Sequence, residues 1–112
     1  MTDALFVYGS LRNEFDNPYA QFLRANAESL GRAMVRGAVF LVGQYPGYRP
    51  EPDGIVHGEL WRLRTAEATL AALDDYEGSG YSRVLTGNAW IYLYTGDVRP
   101  DQRILSGDFL AR

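Results

Sequence analysis

The chain has 112 residues, with 11 basic and 14 acidic side chains and a formal net charge of −3. That is one domain's length, and 46% hydrophobic residues suffice for one small core. There is no cysteine and no lysine, and the one histidine is His57. Disulfide frameworks, thiolate metal sites, thiol nucleophiles, lysine Schiff bases and multi-histidine metal centres are therefore excluded.

Acid–base chemistry is left to carboxylates, tyrosines, His57 or backbone groups. The basic residues are all arginines, scattered rather than gathered in a stripe, so nucleic acid is not an expected partner. The apolar runs, Ala38 to Val42 among them, fall far short of the ~20 residues that span a bilayer, so no membrane association is expected. The start, Met1-Thr2-Asp3-Ala4, lacks the basic region of a signal peptide, and a cytoplasmic location is the default expectation.

In chain order, Ala4-Leu5-Phe6-Val7-Tyr8 is a continuous apolar run stopped by Gly9-Ser10, the pattern of a buried strand. Asn17-Pro18 supplies a helix cap and a first-turn proline, and Tyr19, Phe22 and Leu23 carry that helix to about Glu28. Ala33 to Val42 is β-rich and closes at Gly43. The stretch 44–54, with three of the five prolines, is expected to be a loop. Ile55 to Leu63 alternates with both faces mixed, which suits a closed or heavily covered sheet. Thr65 is placed to cap a helix from Ala66 to about Tyr76, with Glu67 in its first turn and Gly78 and Gly80 beyond its end. Arg83 to Thr86 and Ala89 to Tyr94 read as strands joined at Gly87-Asn88, and the tail from Gly96 reads as irregular. Grouped strands with two helices argue for an α+β fold, and glycines inside strand-like runs argue for a small barrel-like sheet.

Two segments carry chemistry. After the first strand, Tyr8-Gly9-Ser10-Leu11-Arg12 turns sharply and leaves backbone N–H groups free to hold a carboxylate or an oxyanion. An ordinary turn is the commoner meaning of a strand followed by Gly-Ser. In Leu73-Asp74-Asp75-Tyr76-Glu77-Gly78, residues Leu70, Leu73 and Glu77 share one helix face, which aims a carboxylate along the buried stripe. The last helical turn and partial burial both raise that carboxyl's pKa, which suits it to accept and return a proton near neutrality. The plainer alternative is a solvated acidic patch with Glu77 paired to Arg83. His57 reads as a packed histidine and Asp108 as a surface acid, while Tyr8, Tyr45, Tyr81 and Tyr92 are candidates to line a polar cleft.

These pieces occur in a fixed order. Leu5-Phe6-Val7-Tyr8-Gly9-Ser10-Leu11-Arg12 is followed by Tyr45-Pro46-Gly47, then by Gly54-x-Val56-x-Gly58-Glu59-Leu60 and Leu73-Asp74-x-Tyr76-Glu77-Gly78. Tyr81-x-Arg83, Ala89-Trp90-x-Tyr92 and Gly107-Asp108 complete the series. Together they resemble the γ-glutamylcyclotransferase-like superfamily, in particular its short γ-glutamylamine cyclotransferase branch, over nearly the whole chain.

That resemblance implies one domain over residues 1–112, a small mixed β-barrel of about five to seven strands with two flanking helices. It implies cyclisation of a γ-glutamyl amine or γ-glutamyl amino acid to 5-oxoproline, with no metal and no cofactor. By the match Glu77 is the general acid/base, Tyr8, Gly9, Ser10 and Leu11 hold the glutamyl carboxylate or the developing oxyanion, and Tyr45, Tyr81 and Arg83 are further substrate contacts. The sequence leaves the leaving amine and the oligomeric state open. A non-catalytic domain that binds a small carboxylate or peptide end in the same cleft is the alternative, and a purely structural domain is a third reading.

Overall fold

The computed structural model describes residues 2–9 and 17–111. Strands β1 (Ala4–Val7), β2 (Ala27–Arg36), β3 (Ala38–Val42), β4 (Tyr45–Arg49), β5 (Ile55–Leu63), β6 (Tyr81–Thr86) and β7 (Ala89–Tyr94) form one sheet. Helices α1 (Pro18–Asn26) and α2 (Ala66–Glu77) accompany it. The order is β2-β5-β1-β7-β4-β3, with β6 attached to β7. Most pairs are antiparallel, but β7 runs parallel to both β1 and β4, so the sheet is mixed. It is an α+β fold, a curled half-barrel of seven strands.

Both faces of this sheet are covered, as the mixed alternation of β5 requires. Leu5 and Val7 of β1 and Trp61 and Leu63 of β5 pack with Leu23 of α1 and Leu70 and Leu73 of α2. The intervening residues turn to the other side, where Phe6, Val39, Tyr48, Val56 and Ile91 form a second cluster. Strand period two thus feeds two cores from the same strands. Each fully buried leucine contributes roughly 1.5–3 kcal/mol, and Leu23, Leu70 and Leu73, all 1% exposed or less, hold the helices on one face.

Several boundaries differ from the sequence expectation. Helix α1 starts as expected, with the Asn17 side chain accepting from the amides of Tyr19 and Ala20 at 3.0 and 2.8 Å. It ends at Asn26, two residues before Glu28, because Ala27 is already extended and opens β2 against Leu63. The β-rich run from Ala33 is two strands, and the first of them begins earlier. Gly37, at φ 153°, separates them, and a Cβ there would run into the Tyr48 ring. The expected loop 44–54 contains strand β4, a correction with a clear cause. Gly43 and Gln44 form a tight turn, and Tyr45 to Arg49 pair back along β3 despite Pro46. Only 50–54 lacks regular structure. Strand β6 starts at Tyr81 rather than Arg83. Thr65 occupies the expected cap position of α2 but makes no side-chain cap bond; its hydroxyl lies 3.4 Å from that of Thr69 instead.

The decisive feature is how β7 is shared. On one edge it pairs with β6 along its whole length. On the other edge it pairs first with β1, at Ala4↔Ala89 and Leu5↔Trp90, and further on with β4, at Tyr48↔Leu93. Between these two partners the sheet splits, and β1 ends at the split. Ligands in open sheets gather at such changes of connection, beyond the carboxyl ends of strands.

Candidate active site

A cavity of about 270 Å³ opens where β1 leaves the sheet. Phe6, Val7, Tyr8 and Gly9 form one wall and Tyr45 and Pro46 of β4 another. Tyr76 and Glu77 close it from the end of α2, with Tyr81 and Tyr92 from the β6–β7 hairpin. Gly9 approaches β4 closely, since a Cβ there would stand 2.7 Å from the Pro46 ring.

The split is bridged by tyrosine hydroxyls. Buried Tyr8 donates to the Tyr92 carbonyl at 2.6 Å and accepts from the Tyr48 amide at 2.9 Å, which ties β1, β7 and β4 together. Tyr81 donates to the Pro46 carbonyl at 2.7 Å, and Tyr92 donates to the Asp74 carboxylate at 2.7 Å. Each of these three protons is already committed. Burial, together with the nearby Glu77 charge, pushes Tyr81 up to about 12; burial, with the hydrogen bond to Asp74 and its charge, raises Tyr92 as well. Tyr8 is also raised, chiefly by burial. None of the three titrates near neutral pH.

Glu77 is different. It sits in the last turn of α2, half-buried in the cavity wall, and no described residue hydrogen-bonds or ion-pairs with its carboxylate. Burial raises its carboxyl to about 7. Asp74, one turn earlier on the same helix, has the opposite electrostatics. Burial alone would raise it, but Arg83 and the Tyr92 hydroxyl more than offset that and hold it below the ordinary carboxylate value. Arg83 Nε lies 2.9 Å from one Asp74 oxygen and its Nη2 lies 3.3 Å from the other, with the guanidinium 4.3 Å from the Trp90 ring centre.

Six of the residues expected at the site or its cleft therefore meet in one cavity: Tyr8, Gly9, Tyr45, Tyr81, Tyr92 and Glu77. Ser10 and Leu11 lie outside the described residues. Arg83 is not part of the cavity lining; its guanidinium faces Asp74, so the pairing of Glu77 with Arg83 does not occur. Sequence reasoning missed Tyr76 and Pro46 as wall residues. It also missed the bond between Asp74 and Tyr92, which joins residues 18 apart that only the packing of α2 on the sheet brings together. A second recess, lined among others by Arg32, Met34, His57 and Asp108, shares no residue with the first. Among the described residues no three His, Asp or Glu side chains converge as metal ligands, and no helix is long and apolar enough to cross a membrane.

Residues 5–111 match the family described as gamma-glutamyl cyclotransferase, AIG2-like. The chain belongs to that family. Among solved structures it is similar to the ytfP protein of Escherichia coli, at 38% identity over 96% of each chain and a TM-score of 0.69. The fold is also that of PH0828 from Pyrococcus horikoshii, at 24% identity over 95% of this chain and 88% of that one, with a TM-score of 0.77. An AIG2-like protein of Mus musculus shares it too, at 23% identity over 90% and 82%, with a TM-score of 0.68. No curated protein sequence matches the chain. Family membership assigns the cavity to a cyclotransferase-type fold.

Proposed function

We propose that this chain cyclises a γ-glutamyl amine or γ-glutamyl amino acid to 5-oxoproline and releases the free amine. The observation that carries the reading is Glu77, a carboxyl without a partner among the described residues and raised to about 7, in the wall of a cavity that the end of β1 also lines.

The α-ammonium of the glutamyl group gives a proton to the Glu77 carboxylate, and its nitrogen attacks the γ-carbonyl carbon of the same group. The tetrahedral oxyanion that forms is proposed to be held by backbone N–H groups of Tyr8, Gly9, Ser10 and Leu11, of which Tyr8 and Gly9 line the cavity. As the oxyanion collapses, the bond to the leaving nitrogen breaks, and Glu77 returns its proton to that nitrogen. The ring nitrogen, which still carries two protons after the attack, gives its second to Glu77, which passes it to the departing amine; the amine leaves as an ammonium and the five-membered lactam is 5-oxoproline. A carboxyl that titrates near neutrality serves both steps. Because the attack is intramolecular, a cavity that holds the chain folded removes much of the entropic barrier. Tyr45 and Tyr81 are proposed to contact the substrate, and the chemistry is proposed to need neither metal nor cofactor.

The test is incubation of the purified protein with a panel of γ-glutamyl amines and γ-glutamyl amino acids, with detection of 5-oxoproline and the released amine. Stoichiometric appearance of both from at least one compound is expected. Ligand binding without product from any of them would sink the catalytic reading.

A further inference from the structure

Glu77 shares its helix with a second acid whose charge is cancelled in a specific way. Asp74 and Glu77 are three residues apart on α2 and face the same side, and neighbours at that spacing stand roughly 5–6 Å apart at Cβ. Two uncompensated carboxylates so close would disfavour ionisation of one another. Arg83 prevents this by gripping both Asp74 oxygens. Its own position is fixed by the Trp90 ring beneath it, and Trp90 packs at the edge of the helix-side core.

The same carboxylate accepts a hydrogen bond from the Tyr92 hydroxyl, so Asp74 joins α2 to β6 through Arg83 and to β7 through Tyr92. The Asp74 carbonyl also accepts the Gly78 amide at 3.1 Å and closes the turn that carries Glu77. The remaining titratable groups around Glu77 are Tyr8 just after β1, Tyr45 of β4, Tyr76 of α2 and Tyr81 of β6. Asp75, two residues before Glu77 on α2, is exposed, and Asp74 and Arg83 are the charged groups built into the contact between this helix end and the sheet.

We infer that Asp74 and Arg83 are a positioning pair for Glu77: they anchor the last turn of α2 on the β6–β7 hairpin and cancel one another's charge, so that neither displaces the pH at which Glu77 exchanges its proton. This rests on Glu77 being the working carboxyl, but its electrostatic content is measurable whether or not the protein turns over a substrate. The pair acts through Glu77 and touches no reacting atom.

The experiment follows the Glu77 side-chain carboxyl by carbon-13 NMR from pH 4 to 9 in the wild type, Arg83→Gln, Asp74→Asn and the double variant. Glu77→Gln identifies the resonance. Arg83→Gln leaves Asp74 negative and raises the Glu77 midpoint, by roughly 0.5–1 pH unit at high local dielectric. Asp74→Asn keeps an oxygen to accept from Tyr92, leaves Arg83 positive, and lowers the midpoint by a similar amount. The double variant returns close to the wild type. If only one single variant folds, the sign of its shift decides the matter.

Shifts in opposite directions support the pair. A midpoint unchanged in a folded single variant, or shifts of the same sign in both, would overturn it. If the midpoints move as stated but no γ-glutamyl compound yields 5-oxoproline, the proposed reaction fails and the pairing stands. For an active protein, the pH profile of kcat/KM moves with the NMR midpoint in each variant.

Discussion

Arg83 closes on Asp74 at 2.9 Å, and Glu77, one turn further along the same helix, is left without a partner among the described residues. An arginine that could neutralise either carboxylate neutralises one and leaves the other in the cavity wall. The difference in environment drives the two carboxyls apart, one held below its ordinary range and one raised to about 7. Such divergence within one site supports the proposed acid–base role of Glu77.

The first consequence is a pH profile. Glu77 must be ionised to accept a proton, so kcat/KM rises about tenfold per pH unit below 7 and levels off above it. A flat profile between pH 5 and 8, measured on any substrate that is turned over, contradicts the assignment of Glu77 as the base.

The same shift has a consequence for stability. The folded pKa of Glu77 is raised from 4.5 to about 7, so the folded state binds its proton more tightly than the unfolded chain does. The associated stability is fully present below pH 4.5 and is lost as pH rises through 7. Glu77→Gln is uncharged at every pH. It is therefore expected to be more stable than the parent by about 1–3 kcal/mol at pH 8, the difference shrinking toward pH 4. Urea unfolding at the two pH values checks this.

Tyr8 is expected to matter to the fold as well as to the site. Tyr8→Phe removes a hydroxyl that satisfies both the Tyr92 carbonyl and the Tyr48 amide across the split in the sheet. Two buried backbone groups lose a partner, at a cost of about 2–4 kcal/mol. A denaturant midpoint equal to that of the parent contradicts this role.

Gly9 is tested by size. An added Cβ would stand 2.7 Å from Cγ and 3.3 Å from Cδ of Pro46. Gly9→Ala must push β1 away from β4 and is expected to cost about 1–3 kcal/mol, the usual range for overpacking. Gly9→Val should in addition raise KM, because the displaced segments are both cavity walls. Thermal unfolding and steady-state kinetics read the two effects separately.

Much of this was legible in the residues because local chemistry governs it. Asn17-Pro18 can cap only the start of a helix, and the i, i+3, i+7 spacing of Leu70, Leu73 and Glu77 places a carboxylate on a buried face. What local reading misses is set by tertiary pairing. Pro46 argues against a strand, yet β3 on one side and β7 on the other draw Tyr45 to Arg49 into the sheet. Ala27 to Gly31 offers weak strand propensity, yet pairing with β5 makes it extended. The choice of Asp74 rather than Glu77 by Arg83 depends on the angle at which α2 meets β6. No spacing along the chain encodes that angle.

The most direct measurement of the central claim is the rate of 5-oxoproline release from a turned-over γ-glutamyl compound at pH 8 by the parent and by Glu77→Gln. Both proteins are to be shown folded by circular dichroism. The account predicts that the variant loses roughly 10³–10⁴-fold in kcat, since a positioned acid/base of this kind is worth about that much. A folded Glu77→Gln protein that releases 5-oxoproline at the parent's rate would contradict it.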